Sequence, residues 1–321
     1  MSLLRPRPQQ VTIDGVRLHW VEFGSQSDGV PLLLLHGLYD CHRTWQHVAP
    51  ELARGRRVIM PDLPGHGLSE RPDASYELGW YARVVARWLE SLALEQLDVV
   101  GHSFGGGVAQ MLLLECPQRI RRLVLVASGG LGREVRAVLR LASTPRVVES
   151  FGQPFMGIGT RLALLDGAGF TAADIRELAT MNAMPGSARA FARTVRDIID
   201  WRGQRRAFYD RVQEVMQLPP IAVLWGLRDR IIPAHHGQAL AASLEGVVFV
   251  PFEGCGHYIH REKPEAFVEV VSEVLDTPAL RAARLRPDAL KEVAQRNRDL
   301  RLVAAVIRAV RRSERRAKGA A

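Results

Sequence analysis

The sequence predicts an α/β fold in which a mainly parallel central sheet is covered by helices on both faces. Three observations carry this expectation. Short apolar runs alternate with helix-patterned stretches along most of the 321 residues. The first two runs flank a hairpin signal, which suits an antiparallel edge. Gly101-His102-Ser103-Phe104-Gly105 directly follows another run, Leu97-Asp98-Val99-Val100, where a chain turns sharply from strand into helix.

In chain order, Val11-Thr12-Ile13 and the run 16–23 flank Asp14-Gly15 and form the hairpin. Further strands are read at 31–35, 57–60, 97–100, 123–127, 221–226 and 247–252. Helical patterns fall at 41–53, 76–94, 104–115, 235–244 and 263–275. The alternation breaks over 130–219, which contains no convincing strand and repeats alanine, leucine and arginine at helical spacing over 132–141, 172–181 and 187–201. Within it Phe151, Phe155 and Met156, set among Gly152, Pro154, Gly157 and Gly159, form either an apolar lip or an ordinary loop over a helical core.

The glycines at 101 and 105 are what a strained serine needs, because flanking side chains would clash at such a turn. A serine hydroxyl is a poor nucleophile at neutral pH and requires a base that is itself oriented by a carboxylate. Asp229 follows the run 221–226, and His257 follows the last apolar run, both at C-terminal strand ends. His260, three residues on, is the alternative base, and His257 is preferred for Gly256 before it and its nearness to the strand end. An oxyanion needs two main-chain donors. The amide of Phe104 supplies one, and that of Leu38, after the strand that ends in His36-Gly37, supplies the other.

The order Ser, Asp, His, the elbow, the His36-Gly37 turn and the loop Asp62-Leu63-Pro64-Gly65-His66-Gly67 together resemble the α/β-hydrolase superfamily from about 11 to 276. Capped bacterial serine hydrolases and esterases of actinobacterial type are the nearest in character. The resemblance implies a hydrolase core at 1–129 and 220–277 and a helical cap at 130–219, leaving a basic helical extension at 278–321. It implies a serine esterase in which Ser103, Asp229 and His257 form the triad, acting on a small or medium apolar ester, without cofactor or metal. His36, Gly37, Tyr39, His102, Arg202 and Tyr258 are expected to bind the substrate. Carbon–carbon bond hydrolases of aromatic ring cleavage share Cys255-Gly256-His257, but they usually carry asparagine where His102 stands and tryptophan where Tyr258 stands. They also place a cap arginine over the substrate carboxylate, a part open to Arg202 or Arg193. Acyl transfer is a further alternative, and a binding or scaffold role through the C-terminal segment is the non-enzymatic one.

Composition sets limits. Three cysteines, Cys41, Cys116 and Cys255, lack disulfide or metal-ligand spacing, and the N-terminal residues lack a signal-peptide run, so a cytoplasmic protein without a membrane span is expected. From 278 to 321 thirteen basic residues face four acidic ones, which accounts for the whole formal net charge of +9. The high pI is therefore a property of the tail and does not imply specific nucleic-acid binding. Leu300, Val303, Ala304, Ile307 and Val310 recur at helical spacing, and a solvated or self-docked helix, a homodimer contact or an anionic membrane surface are the alternatives for it.

Overall fold

Four consecutive leucines, Leu32 to Leu35, are all buried, and alternate members point to opposite sides of one sheet. That double burial sets the layering of the computed structural model, which describes residues 5–24, 28–143, 147–164, 169–205, 211, 215, 217–277 and 281–285. Its strands are β1 (Arg7–Ile13), β2 (Val16–Phe23), β3 (Gly29–Leu35), β4 (Arg56–Pro61), β5 (Leu97–His102), β6 (Ile120–Val126), β7 (Ile199–Asp200), β8 (Gly203–Gln204), β9 (Ile221–Gly226), β10 (Leu244–Glu245), β11 (Val248–Phe252) and β12 (Arg284–Leu285). Its helices are α1 (Ala49–Leu52), α2 (Leu78–Ser91), α3 (Phe104–Glu115), α4 (Ala137–Ala142), α5 (Val147–Phe151), α6 (Met156–Leu164), α7 (Ala172–Asn182), α8 (Ser187–Ile198), α9 (His235–Ser243), α10 (Ile259–Glu262) and α11 (Pro264–Asp276).

The main sheet has eight strands in the order β1-β2-β4-β3-β5-β6-β9-β11. β1 and β2 pair antiparallel around Asp14 and Gly15, both with positive φ, and β2 pairs antiparallel with β4; the remaining strands are parallel. Leu33, Leu35 and Val99 pack under α2, α3 and α9, while Leu32, Leu34 and Val100 pack under α1 and α11. All C-terminal ends of the parallel strands lie along one edge, where the loops after β3, β5, β9 and β11 meet.

Two expectations change. The helix expected over 41–53 is a 3-10 turn at His42–Trp45 followed by the single turn α1, because Asp62 claims the His42 amide and ring and directs the chain there. The stretch 130–219 is not free of strands, since β7 and β8 form a two-residue ladder. At the start of the basic extension, β12 pairs antiparallel with β10. The proposed amphipathic helix at 300–310 lies outside the described residues.

Between β6 and β9 the described residues form α4 to α8 with β7 and β8, and they are fastened to the sheet-bearing part by buried and half-buried polar groups. Arg71 donates to Ser187 Oγ at 2.7 Å and to the carbonyls of Gly67 and Met181 at 3.0 and 2.9 Å. Asp197 of α8 accepts the first-turn amide of α2, Leu78 N, at 2.9 Å, a donor that helix geometry leaves unpaired. Among the described residues no helix is long and apolar enough to cross a membrane.

Candidate active site

At the end of β5 the chain reverses into α3 through Ser103, whose φ of 53° and ψ of −116° are sterically costly for a side-chain-bearing residue. The surroundings over-determine that conformation. Ser103 N donates to Val126 O at 2.9 Å, and Ser103 O accepts from Gly106 N at 3.0 Å and Gly129 N at 2.9 Å. A methyl group on Gly101 would lie 2.5 Å from Gly105 O, and one on Gly105 would run into the carbonyls of Leu35 and His36. Helix and sheet approach so closely here that only glycine fits.

Two strands away, the loop after β9 holds Asp229 and the loop after β11 holds His257. Asp229 Oδ1 accepts the amides of Ile231 and Ile232 at 2.8 and 3.0 Å, which aims Oδ2 at His257 Nδ1, 2.7 Å away. Both side chains are buried. A carboxylate on Nδ1 fixes the tautomer and leaves Nε2 as the nitrogen open to a hydroxyl. Glu262 braces the histidine loop, accepting from Gly256 N at 2.8 Å and Tyr258 N at 3.2 Å. His260 has no part in the pair: it is fully buried and its Nε2 meets Thr44 Oγ1 at 2.8 Å.

Gly37 lies against the elbow, so close that an added methyl would sit 3.4 Å from Ser103 Cβ. Among the described residues, neither Leu38 N nor Phe104 N donates to a protein acceptor, and Ser103 Oγ makes no hydrogen bond. The expected pair of oxyanion donors is thus unengaged beside an unengaged hydroxyl.

The residues expected to bind substrate divide. Gly37 lies against Ser103 and Tyr258 beside His257, while the described contacts of Tyr39 are with the segment 147–205. Tyr39, at a positive φ of 67°, directs its hydroxyl to Met156 Sδ at 2.9 Å and lies edge-on to Phe191, and Tyr258 lies edge-on to Phe170. His36 and His102 are corrected, because both are fully buried supports. His36 Nε2 accepts Leu63 N at 2.9 Å while Nδ1 donates to Gly37 O at 2.8 Å. His102 Nε2 donates to His257 O at 2.9 Å. Burial pushes both rings below the ordinary imidazole range, His102 the further, helped by His260 and His257 nearby.

Arg202 is corrected as well. It is exposed at the β7–β8 turn and lies over the Trp201 ring, 4.7 Å from its centroid. Its alternative, Arg193, is bound to Glu149 and Asp73 at 2.8 and 2.6 Å. From the same segment Gln204 reaches the loop after β6 that packs on the elbow, accepting from Gly130 N at 2.8 Å beside the Gly129 amide that holds Ser103 O. Asn182 was also not foreseen: its Nδ2 donates to Tyr39 O at 2.8 Å and Thr160 Oγ1 at 3.1 Å, tying α6 and α7 to the Leu38 loop. A long-range tie of this kind leaves no local pattern in the chain.

Among the described residues two histidine–carboxylate groups have metal-ligand types, His19-His42-Asp62 and Glu134-His235-His236. In the first, both imidazoles donate from Nδ1 to Asp62 at 2.9 Å, and Asp62 also accepts Leu68 N at 2.9 Å. Burial raises the Asp62 pKa, but the two imidazole hydrogen bonds outweigh it and hold the carboxyl well below its usual range. The group works as an anchor for the turn after β4.

Residues 30–264 match the model of a family described as alpha/beta hydrolase fold. An uncharacterized protein of Mycobacterium tuberculosis (strain ATCC 25618 / H37Rv) is 34% identical over 283 residues, covering 85% of this chain and 82% of its own. A 2-hydroxymuconate semialdehyde hydrolase of Pseudomonas sp. (strain CF600) is 30% identical over 284 residues, covering 83% of this chain and 93% of its own. Among solved structures, Cfl2 from Burkholderia cenocepacia superposes with a TM-score of 0.73 at 25% identity, over 86% of this chain and 98% of its own.

Proposed function

The chain belongs to the alpha/beta hydrolase fold family, and from that premise we propose that it is a serine hydrolase that cleaves an ester of a small or medium apolar acyl group. The observation that carries the reading is the pairing of His257 Nδ1 with a doubly anchored Asp229, on the loop whose carbonyl is held by the residue preceding Ser103. His257 Nε2 takes the Ser103 proton as Oγ attacks the carbonyl carbon. The negative oxygen that forms is met by the amides of Leu38 and Phe104. Protonated His257 then returns the proton to the departing alkoxide, leaving an acyl-enzyme. Water attacks this ester with His257 as base, releasing the acid and restoring Ser103.

The similarity to 2-hydroxymuconate semialdehyde hydrolase favours carbon–carbon bond hydrolysis as a second reading. The cap arginines argue for the ester, because Arg193 is engaged by Glu149 and Asp73 and Arg202 stacks on an exposed tryptophan, leaving neither at the elbow to meet a substrate carboxylate. The three buried free thiols support the expectation of a reducing, cytoplasmic setting.

p-Nitrophenyl esters of increasing acyl length, assayed with wild type and Ser103→Ala, test the first reading, and a ring-cleavage dienoate tests the second. A burst with wild type that Ser103→Ala lacks is expected. Equal inertness of both proteins toward every ester would overturn the esterase reading, and turnover of the dienoate alone would replace it with the second.

A further inference from the structure

Five large apolar side chains stand in a row on the outside of this molecule. Val147, Phe151, Phe155, Ile158 and Leu162 are 57–73% exposed, and their spacing of three or four residues places them on one face of a helical run. The run is nearly continuous: α5 passes through Gly152, which keeps helical φ and ψ of −75° and −22°, and the 3-10 turn Gln153–Phe155 into α6. Its other side is turned inward. Met156, Thr160 and Leu164 are buried, Met156 meets the Tyr39 hydroxyl, and Glu149 is bound by Arg193 and Arg196. A contiguous apolar ridge of this kind marks an interaction surface.

The charges around the ridge select the partner. Within the run 147–164 the charged residues are Arg161 and Glu149, whose charge is already neutralised from within by Arg193 and Arg196. Arg136 and Arg161 are exposed. Phenylalanine and leucine on one face with unmatched arginines alongside is the composition of a helix that lies in a lipid interface, with guanidinium groups at anionic headgroups. A second copy laid on the same face would bring like charges together.

We propose that the face formed by 147–164 docks on an anionic lipid surface, seating Phe151, Phe155, Ile158 and Leu162 among the acyl chains. The buried side of the same helix holds Tyr39, the neighbour of Leu38, so the docked face adjoins the site. Resting on the serine-hydrolase reading, this makes esters dissolved in a bilayer the substrate class.

The test is co-sedimentation of the full chain with vesicles of phosphatidylcholine and phosphatidylglycerol, against phosphatidylcholine alone, for wild type and the double variant Phe151→Ser/Phe155→Ser. Sedimentation velocity and turnover of a water-soluble p-nitrophenyl ester are measured on the same samples. Wild type should bind the anionic vesicles, with binding weakened by salt, and the double variant should bind at least about tenfold less while keeping its soluble turnover. Absence of vesicle binding, or equal binding by the variant, as the basic segment 278–321 would give, overturns the proposal. So does a dimer that the variant abolishes. Vesicle binding without soluble-ester turnover in wild type upholds the docking face and removes the esterase reading alone.

Discussion

His102 Nε2 donates to the main-chain oxygen of His257 across 2.9 Å, so the residue before the elbow serine holds the loop that carries the proposed base. Because a carbonyl only accepts, the bond fixes His102 as a neutral ring protonated on Nε2, in keeping with a burial that disfavours its charge. Replacing His102 by alanine leaves a carbonyl without its donor, a loss of about 1–3 kcal/mol. His102→Ala should lower kcat by about tenfold or more with KM within a factor of two, and His102→Asn, which restores an N–H donor, should recover much of it. Steady-state kinetics with a pH profile of kcat/KM check this, and a purely structural role would change melting without moving the profile.

Asp229 separates orientation from charge. Asp229→Asn should retain the fold and lower kcat by about 10⁴ through the wrong histidine tautomer. Asp229→Ala should also destabilise, because the amides of Ile231 and Ile232 lose their acceptor. Parallel urea unfolding and ester kinetics distinguish the two variants.

Gly105→Ala should fail to yield folded protein, since its methyl group would collide with main-chain oxygens of Leu35 and His36, which cannot rotate away. Gly159→Ala is the control: a methyl group there meets nothing within 4 Å, and removing a glycine from the α6 interior should stabilise by about 0.5–1 kcal/mol. Thermal melting of both variants reads the difference.

Asn182→Ala should cut the link between α7 and the Tyr39 carbonyl. Its side chain is buried and bonds both Tyr39 and Thr160, so stability should fall by about 1–3 kcal/mol. kcat should fall with it as Leu38 loosens, measurable on the same ester series.

Stability should decline as pH falls below about 6.5. His36, His66, His102 and His260 are buried and held below the ordinary imidazole value, His66 down to about 3 by burial and the neighbouring His36. Above 6.5 these groups are neutral folded or unfolded. Below it the unfolded chain takes up protons that the folded one refuses, costing up to about 1.4 kcal/mol per pH unit for each histidine. Asp40 and Asp98, pushed upward by burial, act in the opposite sense but are fewer. Urea titrations at pH 8, 7, 6 and 5 check the slope, and a flat series contradicts it.

The layering and the elbow were legible because they are written in local pattern: alternating apolar runs, Asp14-Gly15 at a hairpin turn, glycines at 101 and 105 where backbones touch. Burial of polar residues was not. Nothing local distinguishes His102 and His36, folded under the site, from Tyr258 beside it, since their surroundings come from strands far apart in sequence. Arg202 misled for the opposite reason. The β7–β8 turn, two residues long on each side, lies below what periodicity resolves, and it rotates Arg202 outward while Gln204 points in.

The pairing of β12 with β10 has a practical meaning. Ala283 N reaches Pro219 O, just before β9 begins, so the described chain stops at the end of the sheet where strands start, opposite the loops of Ser103 and His257. The molecule therefore has a handle and a mouth at opposite poles. A label or surface linker attached at the exposed position 284, in β12, would leave access to the serine unobstructed.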